Sequence, residues 1–138
     1  MQSSIDADVH EIRELIARQF KSMSWAEGSA PDWARFNQDF LPGALLFPSA
    51  RPAKPQTLSQ FAERMSSLVG STLHTFEETV LGSTVRVYGN VAVAAVACEN
   101  RENTSSVNRN VEMMLLVKTD GHWRIAAQAW DREDAAIP

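Results

Sequence analysis

His74, Phe76, Glu78 and Val80 stand two residues apart in a stretch rich in β-branched residues. In an extended strand that spacing puts all four side chains on one face. A glutamate among apolar neighbours is a candidate general base, because desolvation disfavours its charged form and raises its pKa toward neutrality. His74 is the candidate second polar contact. A competing reading pairs Glu78 with an arginine on a neighbouring strand and leaves His74 half-buried near a strand start. Glu99 and Arg109 flank a polar turn at 103–106 and are placed to face each other across two strands. Exposed, such a pair contributes about 0–1 kcal/mol. Buried, the fork of Arg109 could orient a carboxylate or carbonyl of a ligand.

Several chemistries find no support. There is no Gly-x-Ser-x-Gly elbow, no glycine-rich phosphate loop and no paired-cysteine metal spacing. His10, His74 and His122 are too scattered to suggest a zinc site, so no metal is expected. The single cysteine, Cys98, ends the apolar run VAVAAVAC and is read as a small packed residue in a reducing compartment.

The elements that must position these residues are legible in the spacing. Ile5, Val9, Ile12, Leu15, Ile16, Phe20 and Met23 recur at intervals of three and four, which predicts an amphipathic helix over 4–24. Pro31 and Asp32 open a second helix carrying Trp33, Phe36 and Phe40, stopped by Pro42 and Gly43. Residues 44–47 read as a short strand, and prolines 48, 52 and 55 mark a loop. Thr57 caps a third helix that ends near Gly70. From Ser71 the period falls to two. Strands are expected over 73–81, 84–88, 91–101, 107–119 and 122–132, with Asp120-Gly121 as the clearest hairpin turn. Helices followed by long antiparallel strands make an α+β layer architecture.

With 138 residues the chain is expected to form a single domain, 1–138. A net charge of −4 lacks the basic footprint that phosphate backbones require, so nucleic acid is not an expected partner. No apolar run approaches the ~20 residues of a membrane span, and the acidic N-terminus has no export signal. A soluble, cytoplasmic protein is the expectation. Both faces of the late strands read as apolar: Val91, Val93 and Ala95 alternate with Ala92, Ala94 and Val96. A sheet with one wet face should alternate with polar residues, so the outer face is expected to meet a second copy in a homodimer.

The C-terminal half resembles bacterial proteins of the nuclear transport factor 2-like superfamily, close to the SnoaL-like group. The residues that carry the resemblance are Phe76-x-Glu78, Tyr88-Gly89-Asn90-Val91-Ala92, Cys98-Glu99-Asn100-Arg101, Arg109, Trp123-Arg124-Ile125 and Trp130-Asp131-x-Glu133. The resemblance implies a cone: helices against the concave face of a strongly curved, mostly antiparallel sheet, a pocket at the wide end, and pairing of subunits through the convex face. It spans isomerases, dehydratases and cyclases that need no cofactor, and also non-catalytic binding domains, so function stays open. On a concave face Glu78 and His74 would be the catalytic candidates. Trp25, Phe47, Phe76, Arg109 and Trp130 would contact a small apolar organic ligand. Which parity of the last strand points inward is open. The ketosteroid isomerases of this superfamily carry a catalytic aspartate on a segment that matches 44–49, and here that stretch is ALLFPS, without an acid. Asp39, upstream, is expected to be exposed. The alternative to a ligand-handling protein is a dimerisation or protein-interaction domain whose cavity is filled by its own aromatics.

Overall fold

A computed structural model describes residues 2–133. Helix α1, Gln2–Met23, turns one stripe inward: Ile12, Leu15, Ile16, Phe20 and Met23 are all buried. Helix α2, Trp33–Asn37, is a short turn whose Asp32 cap accepts from the main-chain N–H of Arg35. It is shorter than the spacing predicts, because Phe40 belongs to the next element. Strand β1, Phe40–Phe47, runs through Pro42 and Gly43 rather than starting after them. Its parallel pairing with the last strand is interrupted between Phe40 and Leu45. Proline supplies no ladder donor there and Gly43 takes a φ of +80°, so the pair makes a bulge inside a strand and not a helix stop.

Asp39 is a correction of the same origin. It is buried at 2% exposure, and its carboxylate accepts from Arg18 Nη2 at 2.9 Å and Arg35 Nη1 at 3.4 Å. Its carbonyl also accepts from Ile125 N–H at 2.8 Å, which fixes the entry into β1.

After the two-residue strand β2, Gln56–Thr57, helix α3, Leu58–Ser66, opens with a reciprocal capping box between Thr57 and Gln60. The four long strands follow: β3, Phe76–Tyr88; β4, Val91–Glu102; β5, Ser106–Thr119; β6, His122–Arg132. Gly82 does not break β3 in two, as the spacing suggested. A register shift between Val80 and Gly82 absorbs it and the strand continues. Asp120 and Gly121 both take positive φ, as a tight two-residue hairpin requires.

The six-stranded sheet runs in the order β2-β1-β6-β5-β4-β3, antiparallel except between β1 and β6. Register assigns each side chain to a face. Glu78, Cys98, Glu112, Gln128 and Trp130 share the helix-covered face with Ala94, Val96 and Leu46. Val93, Met113, Leu115, Ala127 and Ala129 share the outer one. That decides the parity of this part of β6: Gln128 and Trp130 point in, Ala127 and Ala129 out. Among the described residues no helix is long and apolar enough to cross a membrane.

Candidate functional site

The chamber lies between the inner face of the sheet and the helices. Glu78 comes from β3, Glu112 from β5, Gln128 and Trp130 from β6, and Gln19 from α1; Phe61 of α3 helps to close it. Its volume is about 30 Å³. That is room for one or two waters and no more. Aromatic rings take the rest of the space. Phe61 meets Trp130 edge-on at 5.7 Å and stacks on Phe36 at 5.8 Å. Trp130 is only half-buried and is the wall nearest solvent.

Two glutamates in such a place are costly as anions. Glu78 is 6% exposed and Glu112 4%. Burial pushes the Glu78 carboxyl up to about 7, against a thiol hydrogen bond from Cys98 that lowers it. Burial raises Glu112 well above the usual carboxylate range, and the neighbouring Glu78 charge adds to it, opposed by the Gln128 amide. Cys98 Sγ lies 3.4 Å from Glu78 Oε2 and donates to it. Burial and the two carboxylates drive that thiol far up, so it is a packed donor and no nucleophile. Glu78 itself is pinned by its main-chain N–H, which donates to Ser24 Oγ at 3.1 Å.

Glu78, Cys98 and Glu112 bring potential ligand atoms within 4.8 Å of one another, the one grouping with metal-like spacing among the described residues. Burial favours the neutral, protonated form of all three. At neutral pH Glu112 and Cys98 therefore keep their protons, while Glu78 is poised between its two forms.

Of the residues singled out in sequence, the chamber collects Glu78 and Trp130. His74 is not beside Glu78: it precedes β3, is exposed, and has its main-chain N–H held by Asn103 Oδ1 at 2.7 Å. The polar side chain of Asn103 competes successfully for the backbone there and delays the strand. Trp25 and Phe76 stack at 5.4 Å and bond through both main chains, a latch between the end of α1 and the start of β3 outside the chamber. Phe47 falls on the outer face, one residue out of phase with the inward Leu46. Arg109 is exposed and pairs with Glu99 at 3.3 Å, the cross-strand partner that spacing indicated.

Glu112, Gln128 and Gln19 were missed. Each was visible as a polar residue inside an apolar pattern. Gln19 interrupts the buried stripe of α1, Glu112 sits in Val-Glu-Met-Met-Leu-Leu, and Gln128 in Ile-Ala-Ala-Gln-Ala-Trp.

The outer face carries an apolar trough of about 400 Å³, floored by Val93, Met113 and Leu115 and flanked by Phe47, Thr84 and Arg86. Val93 and Met113 are 52% and 55% exposed. Exposed apolar patches of this kind mark interaction sites.

Comparison with known proteins adds the family. The chain matches, over residues 7–131, the family described as "Putative lumazine-binding". No curated protein matches it in sequence. Among solved structures it is similar to a nuclear transport factor 2-like protein with a cystatin-like fold from Novosphingobium aromaticivorans, at 17% identity and a TM-score of 0.77, over 98% of this chain and 88% of that one. It is also similar to a protein of unknown function from Mycobacterium tuberculosis, at 16% identity and a TM-score of 0.75, over 96% and 76%. A third is a cystatin-like-fold protein of unknown function from Nostoc punctiforme, at 11% identity and a TM-score of 0.72, over 94% and 93%. The fold is therefore nuclear transport factor 2-like, as the resemblance implied.

Proposed function

The chain belongs to the "Putative lumazine-binding" family, and from that premise we propose that it binds a small, largely apolar organic molecule in the chamber and moves a proton on it with Glu78 and Glu112. Family and fold suggest a small-molecule-binding domain, and the reaction has to be argued from the site. One observation carries the reading: two carboxyls face one chamber, and burial raises both, Glu78 to about 7 and Glu112 well above the usual carboxylate range. Titratable groups tuned in this way are equipped for acid–base work at neutral pH. Glu78, at about 7, is the group that can take or give a proton. Glu112, held higher, is the donor partner. Trp130 is wall and door: with about 30 Å³ inside, an organic ligand enters only if Trp130 or Phe61 swings aside. Proton transfer of this kind needs a dry site and a tuned side chain, and no cofactor is invoked. His74 and Arg109, remote from the chamber, carry no part of the chemistry. The outer trough is the surface through which two copies would pair, in a single-domain, cytoplasmic protein.

The small chamber also favours a second reading, a non-catalytic dimerisation or protein-interaction domain whose hollow is filled by its own aromatics. Thermal shift separates the two. The panel holds lumazine, steroids, polyketide-like aromatics and short organic acids. A member at 100 times its dissociation constant should add about 2.7 kcal/mol of stability. Glu78→Gln should keep the fold and lose turnover of that member. No shift across the panel, from a protein that still dimerises, decides for the second reading.

A further inference from the structure

Gln19 is 1% exposed, lines the chamber, and has a side-chain carbonyl oxygen without a hydrogen-bond partner. Its amide nitrogen donates to Gln128 Oε1 at 2.8 Å, and Gln128 Nε2 donates to Glu112 Oε1 at 2.6 Å. The order is forced from Glu112 outward, because each amide has one donor end and one acceptor end. While Glu112 Oε1 accepts, Gln128 must turn its NH2 toward it and its carbonyl toward Gln19. Gln19 must answer with its own NH2, and its carbonyl is left over. A buried acceptor left unanswered is costly, so this oxygen marks a place for a donor. With a proton on Glu112 Oε1 the chain reverses. The new O–H donates to the Gln128 carbonyl, the Gln128 NH2 donates to the Gln19 carbonyl, and the Gln19 NH2 is left over instead.

We propose that Gln19 is a ligand-binding residue that takes an N–H or O–H of the ligand while Glu112 Oε1 accepts, and takes a ligand acceptor once that oxygen carries the proton. The inference rests on the chamber being the ligand site. The groups that face Glu112 are Glu78 from β3, the Cys98 thiol from β4, Gln128 and Trp130 from β6 and Gln19 from α1. Glu78 is the one other carboxyl among them. When Glu112 gives its proton to a ligand, its O–H breaks as the ligand's new bond to hydrogen forms. The ligand becomes a better donor as the Gln19 carbonyl is freed to accept, so the relay follows the transfer.

The relay is read in the ligand-free protein from side-chain amide proton–nitrogen spectra across pH, alongside the glutamate carboxyl carbons. The Gln19 and Gln128 amide signals should move with the Glu112 midpoint. In Gln128→Met the Gln19 signals should stop following while Glu112 still titrates. Gln19 signals that stay fixed as Glu112 titrates in the wild type, or that still follow it in Gln128→Met, would overturn the proposal and leave the acid–base reading intact. Phenol and toluene then test the selection. Above the Glu112 midpoint phenol should bind about tenfold more tightly, a preference that Gln19→Met removes. Equal binding of the two by the wild type refutes donor selection. Binding of neither refutes the chamber as a ligand site, and the proposal with it.

Discussion

Glu78 and Glu112 lie on β3 and β5 with Cys98 of β4 between them, and burial acts on both carboxyls in the same direction. A carboxyl whose folded pKa lies above its unfolded value binds protons more tightly in the native state. Its contribution favours folding at low pH and is lost as pH rises from the unfolded value through the folded one. For Glu78 that window runs from the ordinary 4.5 to about 7. Stability should therefore fall across this range, counter to the usual behaviour of salt-bridged carboxylates. Glu78→Gln, which keeps shape and drops the charge, should be more stable than wild type at pH 8 by roughly 1–3 kcal/mol. At pH 5 it should be close to neutral. Chemical denaturation at the two values checks it; a variant less stable at both is the contrary outcome. At this scale the sequence was half legible. Glu78 stood out because alternation placed it among apolar residues. Glu112 did not, because its importance depends on two strands being in register. His74 shows the opposite error: its alternation with Phe76 and Glu78 is real, but Asn103 holds the backbone at 74 and the strand begins two residues later.

The same competition between local pattern and partner decides the elements. Phe40 has helical spacing from Trp33 and Phe36, yet it pairs with Ile125 in the sheet, since β6 offers a ladder that a longer α2 could not match. Gly82 resembles a strand end and becomes a bulge because β4 is long enough to pair on both sides of it. Helix α1, α3 and its Thr57 cap, and the Asp120-Gly121 hairpin were readable because each is specified by its own residues. The lid of the chamber is an assembly of elements: Phe61 of α3 touches both Phe36 of α2 and Trp130 of β6. Trp130 is half-buried, so Trp130→Ala should cost no more than the low end of the ~3–5 kcal/mol typical of buried aromatics. It should also open the chamber, so that phenol stabilises the variant more than the wild type in thermal shift. An unchanged response would mean that Trp130 does not gate the space behind it.

For the whole molecule, the sheet separates two surfaces of different character. The inner one surrounds the carboxyl pair; the outer one leaves Val93, Met113 and Leu115 about half exposed around a trough. The apolar reading of both faces of β4 and β5 anticipated this, although composition alone could not tell which parity faced the helices. Self-association through that face is the expected outcome. Sedimentation at micromolar concentration should find a dimer, and Leu115→Glu should yield a folded monomer with the chamber unaffected. A monomeric wild type would remove the dimer. The central claim, that the hollow is dry enough to keep both glutamates largely protonated at pH 6, is tested most directly by infrared spectroscopy of the carboxyl carbonyl at that pH. A protonated-carboxyl band should be present, shrink in Glu78→Gln and in Glu112→Gln, and vanish in the double variant. A spectrum with no such band until the pH falls below 5 would contradict the account.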